Sequence, residues 1–211
     1  MNCNLIRRAV LGLGIAAVIA WTAPELNMRG DRFKPLVYDQ MTPAQKTMTD
    51  HVLATRGSMN GPFNVMLRDA ELGDIAQQLG AQIRFHSAVP AKLNELAVIL
   101  TLASWGTEFE FQGHSRLAQR AGLTAGVSEA LAAGKRPASM AADEETVYNF
   151  CTELLTTHQV SDANFAAAMK LLGERGVVDL ISAMGYYHLV AMALNVDRYP
   201  LPEGTKPVLK H

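Results

Sequence analysis

The sequence predicts an all-α protein. No segment alternates apolar and polar residues with a period of two, as a half-buried strand would. Helix start and stop signals recur instead: Thr42-Pro43 is typical of a helix start, and Gly122 and Gly134 are typical of helix ends. Strongly apolar stretches at 90–105 and 177–195 lie between such signals. These observations favour a bundle of helices around one apolar core.

The same signals predict each element in chain order. The first helix begins after Thr42 and runs to about Arg56, and the glycines, asparagine and proline at 56–63 predict a loop. Gly173 and Gly176 separate the last two helices, and three prolines keep the tail from being helical. Further helices are predicted at about 63–69, 70–84, 90–105, 107–121, 124–134, 141–158, 161–172 and 177–195.

Length and composition indicate one domain with a sizeable core. The chain has 211 residues, of which 49% are apolar, and a formal net charge of −1. No basic run follows the N-terminus, which argues against nucleic acid as the main partner. The composition is compatible with a small neutral or anionic molecule as the ligand.

The first 23 residues differ from the rest. Arg7 and Arg8 precede an uncharged apolar run at 9–20, a pattern typical of a signal peptide or a short N-terminal anchor. The paired arginines loosely resemble a twin-arginine signal, and the choice between that route and ordinary secretion stays open. We expect an exported protein, periplasmic or secreted and possibly anchored. The expected organisation is a signal or anchor at 1–23, an extended arm at 24–41, a domain at 42–203 and a tail at 204–211.

Two cysteines bear on redox chemistry. Cys3 would be lost with a cleaved signal peptide, which leaves Cys151 alone and without a disulfide partner in the monomer. Cys151 lies in an apolar helical context, so a buried and inert thiol is expected.

The candidate chemistry lies between Glu95 and Gly122. Glu110 and His114 are four residues apart and share one face of a helix, where a carboxylate and an imidazole form a proton-transfer pair. Glu95 opens a very apolar stretch, which suggests a buried partner, although a solvated helix face is the alternative. Thr107 and Glu110 also match a capping box, so Glu110 could instead close the helix start.

The order of residues in this region resembles the carboxymuconolactone decarboxylase-like family of the alkylhydroperoxidase D-like superfamily. The resemblance covers roughly residues 40–203. It rests on Glu95, Trp105, Phe109-Glu110-Phe111, His114, Ala118 and Ala121-Gly122-Leu123, on Met41-Thr42-Pro43-Ala44-Gln45, Gly61-Pro62-Phe63 and Arg84-Phe85, and on 177–195.

The resemblance implies an alkylhydroperoxidase D-like helical bundle of about seven to nine helices that assembles as a homo-oligomer, a trimer or a hexamer. It implies a cofactor-free lyase resembling 4-carboxymuconolactone decarboxylase, an activity of aromatic compound catabolism. The substrate is expected to be a carboxylated lactone or a related small acid. In the peroxidase branch two cysteines stand where this chain has Thr107 and Glu110, so the thiol chemistry should not carry over.

The resemblance also suggests roles for individual residues. His114 would be the acid or base, and Glu95 or Glu110 would orient it and tune its pKa. Trp105 would wall the pocket, and Arg84 would bind the substrate carboxylate. His188 could reach the same pocket from the last helix, although core or subunit packing is the alternative.

No metal-ligand spacing occurs, so no metal and no cofactor are expected. The expected partner is a small-molecule substrate, with no nucleic acid and no membrane beyond the possible N-terminal anchor. Two other functions stay open: a peroxidase-related antioxidant protein, which the missing CxxC disfavours, and a non-catalytic helical oligomer that binds a small ligand.

Overall fold

The structure of the protein, a computed structural model, describes residues 26–210. Within this range every regular element is helical, so the prediction of an all-α chain is confirmed. The segment expected to be a signal peptide or anchor, 1–23, lies outside the described residues.

Eight α-helices and two 3-10 turns make up the described part of the chain, and most begin and end within three residues of the predicted positions. In order they are a 3-10 turn at Tyr38–Gln40, α1 (Pro43–Arg56), α2 (Phe63–Met66), a 3-10 turn at Leu67–Asp69, α3 (Ala70–Phe85), α4 (Ala91–Ser104), α5 (Glu108–Arg120), α6 (Val127–Ala132), α7 (Ala142–Thr157) and α8 (Asp162–Asp197).

The start of α1 shows why local signals predict helix ends well. Thr42 Oγ1 accepts a hydrogen bond from the Gln45 backbone N–H at 3.3 Å, and the Gln45 side chain accepts one from the Thr42 N–H at 2.9 Å. This capping box satisfies two backbone donors that the helix itself leaves unpaired. Gly57 ends the helix in the left-handed conformation, with φ of 69°, which a glycine adopts without steric cost.

Helix α4 forms the centre of the bundle. It packs against α5, α7 and α8, and it is apolar around its whole circumference, as expected of a helix surrounded by other helices. Its fully buried side chains, Leu96, Ala97, Val98, Ile99 and Leu102, belong to one continuous core with those of the neighbouring helices. Most side chains in the middle of α4 therefore face the interior, whereas Ala91 and Ser104 at its ends are exposed.

Helix α8 is bent at Gly173, which confirms the predicted break at that residue. Gly173 has φ of 67° and ψ of 176°, a conformation that only glycine adopts readily. Gly176, expected to share in the break, lies instead within the second half of the helix and is buried there. That second half packs against α3, α4 and α7.

Among the described helices, α8 is long and apolar enough to cross a membrane by length and composition. Half of its most apolar window is buried inside the bundle, however, and the core helix of a bundle passes the same test.

The arm and the tail both pack on the domain. Asp197, at the end of α8, accepts hydrogen bonds from the backbone N–H groups of Arg32 (2.9 Å) and Phe33 (2.7 Å) in the arm. Glu108, at the start of α5, accepts bonds from the N–H groups of Val208 (2.9 Å) and Leu209 (2.7 Å) in the tail. These bonds bring both ends of the described chain to the same end of the bundle as the α4–α5 turn.

Candidate active site

The centre of the candidate site is an imidazole between two carboxylates. His114 Nδ1 lies 2.6 Å from Glu95 Oε2, and His114 Nε2 lies 3.3 Å from Glu110 Oε2. Only 3% of His114 is exposed, so this hydrogen-bonded array is almost entirely out of water. The sequence prediction that Glu95 enters an apolar helix because it has a buried partner agrees with this geometry.

The hairpin formed by α4 and α5 brings the three residues together. Glu95 projects from the first turns of α4, and a short turn at Trp105–Thr107 leads the chain back along it as α5. Glu110 and His114 then lie one turn apart on the face of α5 that meets α4. The capping-box alternative for Glu110 is wrong, because Thr107 makes no side-chain capping bond at the start of α5.

Two tyrosines of α8 complete the surroundings of the imidazole. The Tyr187 ring packs edge-on against His114 with the ring centroids 4.8 Å apart, and Tyr186 packs in turn against Tyr187. Burial, with the charge of Glu110, raises the pKa of Tyr187 well above its usual value of 10. Tyr187 is therefore a neutral phenol that shields His114 from water.

The array holds a proton on His114. Burial by itself lowers the pKa of the imidazole, because the charged form loses its hydration. The hydrogen bonds to Glu110 and Glu95, together with the charges of these carboxylates, act in the opposite direction and raise the pKa of His114 to about 9. At neutral pH the residue is thus an imidazolium, whose Nδ1 donates to Glu95 and whose Nε2 forms an ion pair with Glu110.

His114 and Glu110 open onto a cavity of about 320 Å³, large enough for a small ring compound. Glu95 does not line it and lies behind the imidazole. The wall comes from the end of α1 and the loop after it, the end of α3, α5 and the second half of α8. The lining residues are Arg56, Ser58, Asn60, Pro62, Phe63, Arg84, Phe109, Glu110, Gly113, His114, Arg116, Leu117, Tyr186, Tyr187 and Val190.

Arg84, expected to bind the substrate carboxylate, lines this cavity. Arg56 lines it as well, and the sequence analysis missed this residue. No spacing rule relates Arg56, at the end of α1, to the α4–α5 hairpin, so only the packing of α1 against α3 brings it to the site.

Trp105 and His188 are not part of the cavity wall, which corrects two of the expected binding roles. Their rings contact each other at 5.9 Å between centroids, and Trp105 borders a separate depression near Tyr199. Trp105 follows Glu95 by ten residues, which places it about 15 Å farther along α4. His188 is rotated by about 100° on α8 from Tyr187, the residue that faces His114, and it donates to the Met184 carbonyl at 2.7 Å.

The remaining candidate groups contribute no reactive centre to this cavity. Cys151 is fully buried in α7, and burial raises the pKa of its thiol, as expected of an inert cysteine. Among residues 26–210, no group of three or more His, Cys, Asp or Glu side chains is arranged to hold a metal ion. In the array itself, Glu95 and Glu110 occupy opposite ring nitrogens of His114, so the three cannot converge on one ion.

The proton on His114 predicts how stability depends on pH. The pKa of His114 is raised in the folded state, so its stabilising contribution is fully present below about pH 6.5 and is lost as the pH rises through about 9. Comparing chemical denaturation of the wild type with His114→Gln between pH 6 and 10, we expect their difference in unfolding free energy to shrink by up to about 3 kcal/mol. A difference that stays constant over this range would contradict the assigned protonation.

Gly61 predicts a second test of the array. Its φ is +88°, and an added Cβ would lie 2.6 Å from Glu110 Oε1, so Gly61→Ala must move that carboxylate. The contact between His114 Nε2 and Glu110 Oε2 is already long, at 3.3 Å, so displacing the carboxylate should break it. We expect the pKa of His114, measured by NMR titration, to fall as a result.

Gly57→Ala is the matched control. Gly57 also has a positive φ (+69°), but nothing lies within 4 Å of its added Cβ. Both substitutions should cost about 1–3 kcal/mol of stability through backbone strain. Only Gly61→Ala should change the titration of His114, and equal pKa values in the two variants would refute the contact.

No family model, no curated protein and no solved structure matches this chain. A function is therefore inferred from the geometry and chemistry of the site, and the resemblance to the carboxymuconolactone decarboxylase-like family stays a prediction.

Proposed function

We propose that this protein is a cofactor-free carboxy-lyase that removes CO2 from a small carboxylated lactone or a related acid. The observation that carries the proposal is the buried His114 imidazolium, held between Glu95 and Glu110 at the wall of a cavity that Arg56 and Arg84 also line. Such a site offers both an anchor for an acid and a proton donor in a place with little water. On the basis of the resemblance to the carboxymuconolactone decarboxylase-like family, we also propose that the helices are arranged as in the alkylhydroperoxidase D-like fold.

The proposed reaction needs only proton transfer. When the bond to the carboxylate carbon breaks, CO2 leaves and the electron pair enters the conjugated carbonyl of the substrate. The resulting enolate is protonated at carbon by the imidazolium of His114, directly or through Glu110, which also faces the cavity. Glu95 holds the imidazole through Nδ1 and balances its charge, and water returns the proton for the next turnover.

The raised pKa of His114 determines its starting role. A group with a pKa of about 9 carries its proton at neutral pH, so it begins the cycle as the acid and not as the base. Negative charge develops on the substrate carbonyl next to this cation. The cation therefore stabilises the transition state more than the ground state, in which that carbonyl is uncharged.

A thiol peroxidase is the less favoured alternative. The only cysteine among the described residues is buried in α7, and its thiol has a raised pKa, whereas a peroxidase needs an accessible thiolate. Thr107 and Glu110 occupy the positions where the peroxidase branch has its cysteines.

A non-catalytic oligomer that binds a small ligand is the other alternative, and it would use the same cavity. A measurement of turnover distinguishes it from the lyase.

The deciding experiment measures CO2 release from a panel of carboxylated lactones and β-keto acids. We expect His114→Gln to lower turnover by about 100-fold or more, because the proton donor is lost while the side-chain volume is similar. His51→Gln, a substitution of an exposed histidine, should leave it unchanged. In D2O the product should carry deuterium at the carbon where the enolate is protonated, which for a β-keto acid is the carbon that lost CO2 and for a conjugated lactone is the carbon next to the carbonyl. Binding without CO2 release by the wild type, for every compound in the panel, would refute the lyase and favour the binding protein.

We also propose a homo-oligomer, a trimer or a hexamer. Helix α8 exposes a stripe of large apolar side chains at helical spacing, next to similar residues of α3. The exposed residues are Val178, Ile181, Leu189, Met192 and Val196 on α8, and Leu72, Ile75 and Leu79 on α3.

Light scattering coupled to size exclusion tests this assembly. We expect the wild type to run as an oligomer and Ile181→Asp to dissociate it, because a buried unpaired charge is costly at such a contact. Val37→Asp is the control, since Val37 is equally apolar and exposed but lies in the arm. A monomeric wild type would refute the assembly.

A further inference from the structure

We infer that Arg56 and Arg84 form an anion-binding subsite in the cavity, and that Arg56 is the residue that selects for a carboxylate-bearing ligand. The inference deepens the proposed function and rests on it insofar as the bound acid is the substrate. It begins from two guanidinium groups that line the cavity and have no carboxylate counter-ion among the described residues.

The two arginines contact the same aromatic ring. The Arg56 guanidinium carbon lies 5.9 Å from the centroid of the Phe85 ring, and that of Arg84 lies 5.4 Å from the same centroid. Arg56 also stacks over Phe63 at 5.2 Å. The aromatic rings hold the planes of both groups while leaving their N–H donors free for other partners.

Neither arginine has a carboxylate partner within the described range 26–210. Arg56 donates from Nη2 to the Gln77 carbonyl at 3.3 Å, but its Nε is buried without a hydrogen-bond partner. The guanidinium is therefore incompletely paired by the protein, and its position at the cavity wall favours an anionic ligand that binds its remaining donors.

The pKa of Arg56 is consistent with this arrangement. Burial has the largest influence and lowers it, and the positive charge of Arg84 also lowers it. Tyr186, Tyr187 and the charge of Glu110 act in the opposite direction.

The charged groups at the cavity leave an excess of positive charge. Glu95, His114 and Glu110 together carry −1 when the imidazole is protonated, whereas Arg56, Arg84 and Arg116 on the wall carry +3. An anionic group on the ligand would reduce this excess. A guanidinium presents a planar pair of donors that matches the two oxygens of a carboxylate, which gives Arg56 its selectivity over a simple point charge.

This subsite orients the ligand. Because Arg56 and Arg84 lie at the ends of α1 and α3 and the imidazolium lies on α5, an acid held by Arg56 extends towards His114 and Glu110. Arg56 is thus a binding and orienting residue, distinct from the proton-transfer array.

Calorimetric titration of the full chain tests the subsite without any need for turnover. The probes are benzoate, its neutral isostere benzamide, and inorganic phosphate, at constant ionic strength. We expect benzoate to bind at least about tenfold more tightly than benzamide, because only benzoate offers a charge-assisted bidentate partner. Tighter binding of phosphate than of benzoate would overturn the carboxylate selectivity.

Three variants locate the effect. Arg56→Gln should weaken benzoate binding by at least about tenfold and leave benzamide binding unchanged, and Arg56→Lys should retain only part of the affinity. Arg120→Gln, at an exposed residue of α5 outside the cavity, is the control and should behave as the wild type. Thermal unfolding without ligand shows whether each variant is folded, and if Arg56→Gln unfolds, Arg56→Lys carries the test.

The outcomes separate this inference from the lyase. Benzoate binding that depends on Arg56, with no CO2 released from any acid, supports the subsite and refutes the lyase. CO2 release that Arg56→Gln leaves unchanged overturns the subsite and leaves the lyase standing. Failure of all three probes to bind in a charge-dependent way also overturns the subsite.

Discussion

A protonated imidazole buried between two carboxylates constrains the rest of this molecule. Glu95, His114 and Glu110 are nearly out of water, and removing one partner would leave a charge in the interior without compensation. The central position of α4 makes this burial possible, because every face of that helix meets another element. The pairing in turn determines the rotation of α5 about its axis, since both Glu110 and His114 must face α4.

The parts of the fold far from α4 in sequence serve the same array. Tyr187 from α8 covers the imidazole, and Gly61 brings the backbone of the loop after α1 directly against Glu110. Tyr199 accepts a hydrogen bond from the Gly61 N–H at 3.0 Å, and Arg29 of the arm stacks on the Tyr199 ring. The arm, the loop and the residues after α8 therefore act together as the wall that holds Glu110 in place.

The cavity has two chemically different sides. On α5 it presents a proton donor with its carboxylate partners, and on α1 and α3 it presents cations held by aromatic rings. The proposal of a small acid as substrate follows from this division, because its charge needs a fixed counter-ion while its reacting carbon needs a proton in a dry place. Proton transfer alone can use this arrangement, which is why a lyase is favoured over thiol chemistry in a chain whose described cysteine is buried.

The sequence by itself determined the features that depend on near neighbours. Caps and glycines specify where helices start and end, as at Thr42, Gly57 and Gly173, because these signals act through backbone hydrogen bonds and allowed dihedral angles. The spacing of Glu110 and His114 placed them on one helical face for the same reason. Tertiary packing alone decided that Glu95 meets Nδ1, that Arg56 joins Arg84, and that Trp105 and His188 lie elsewhere. Those outcomes depend on how helices rotate and cross, and no local pattern in the chain records these angles.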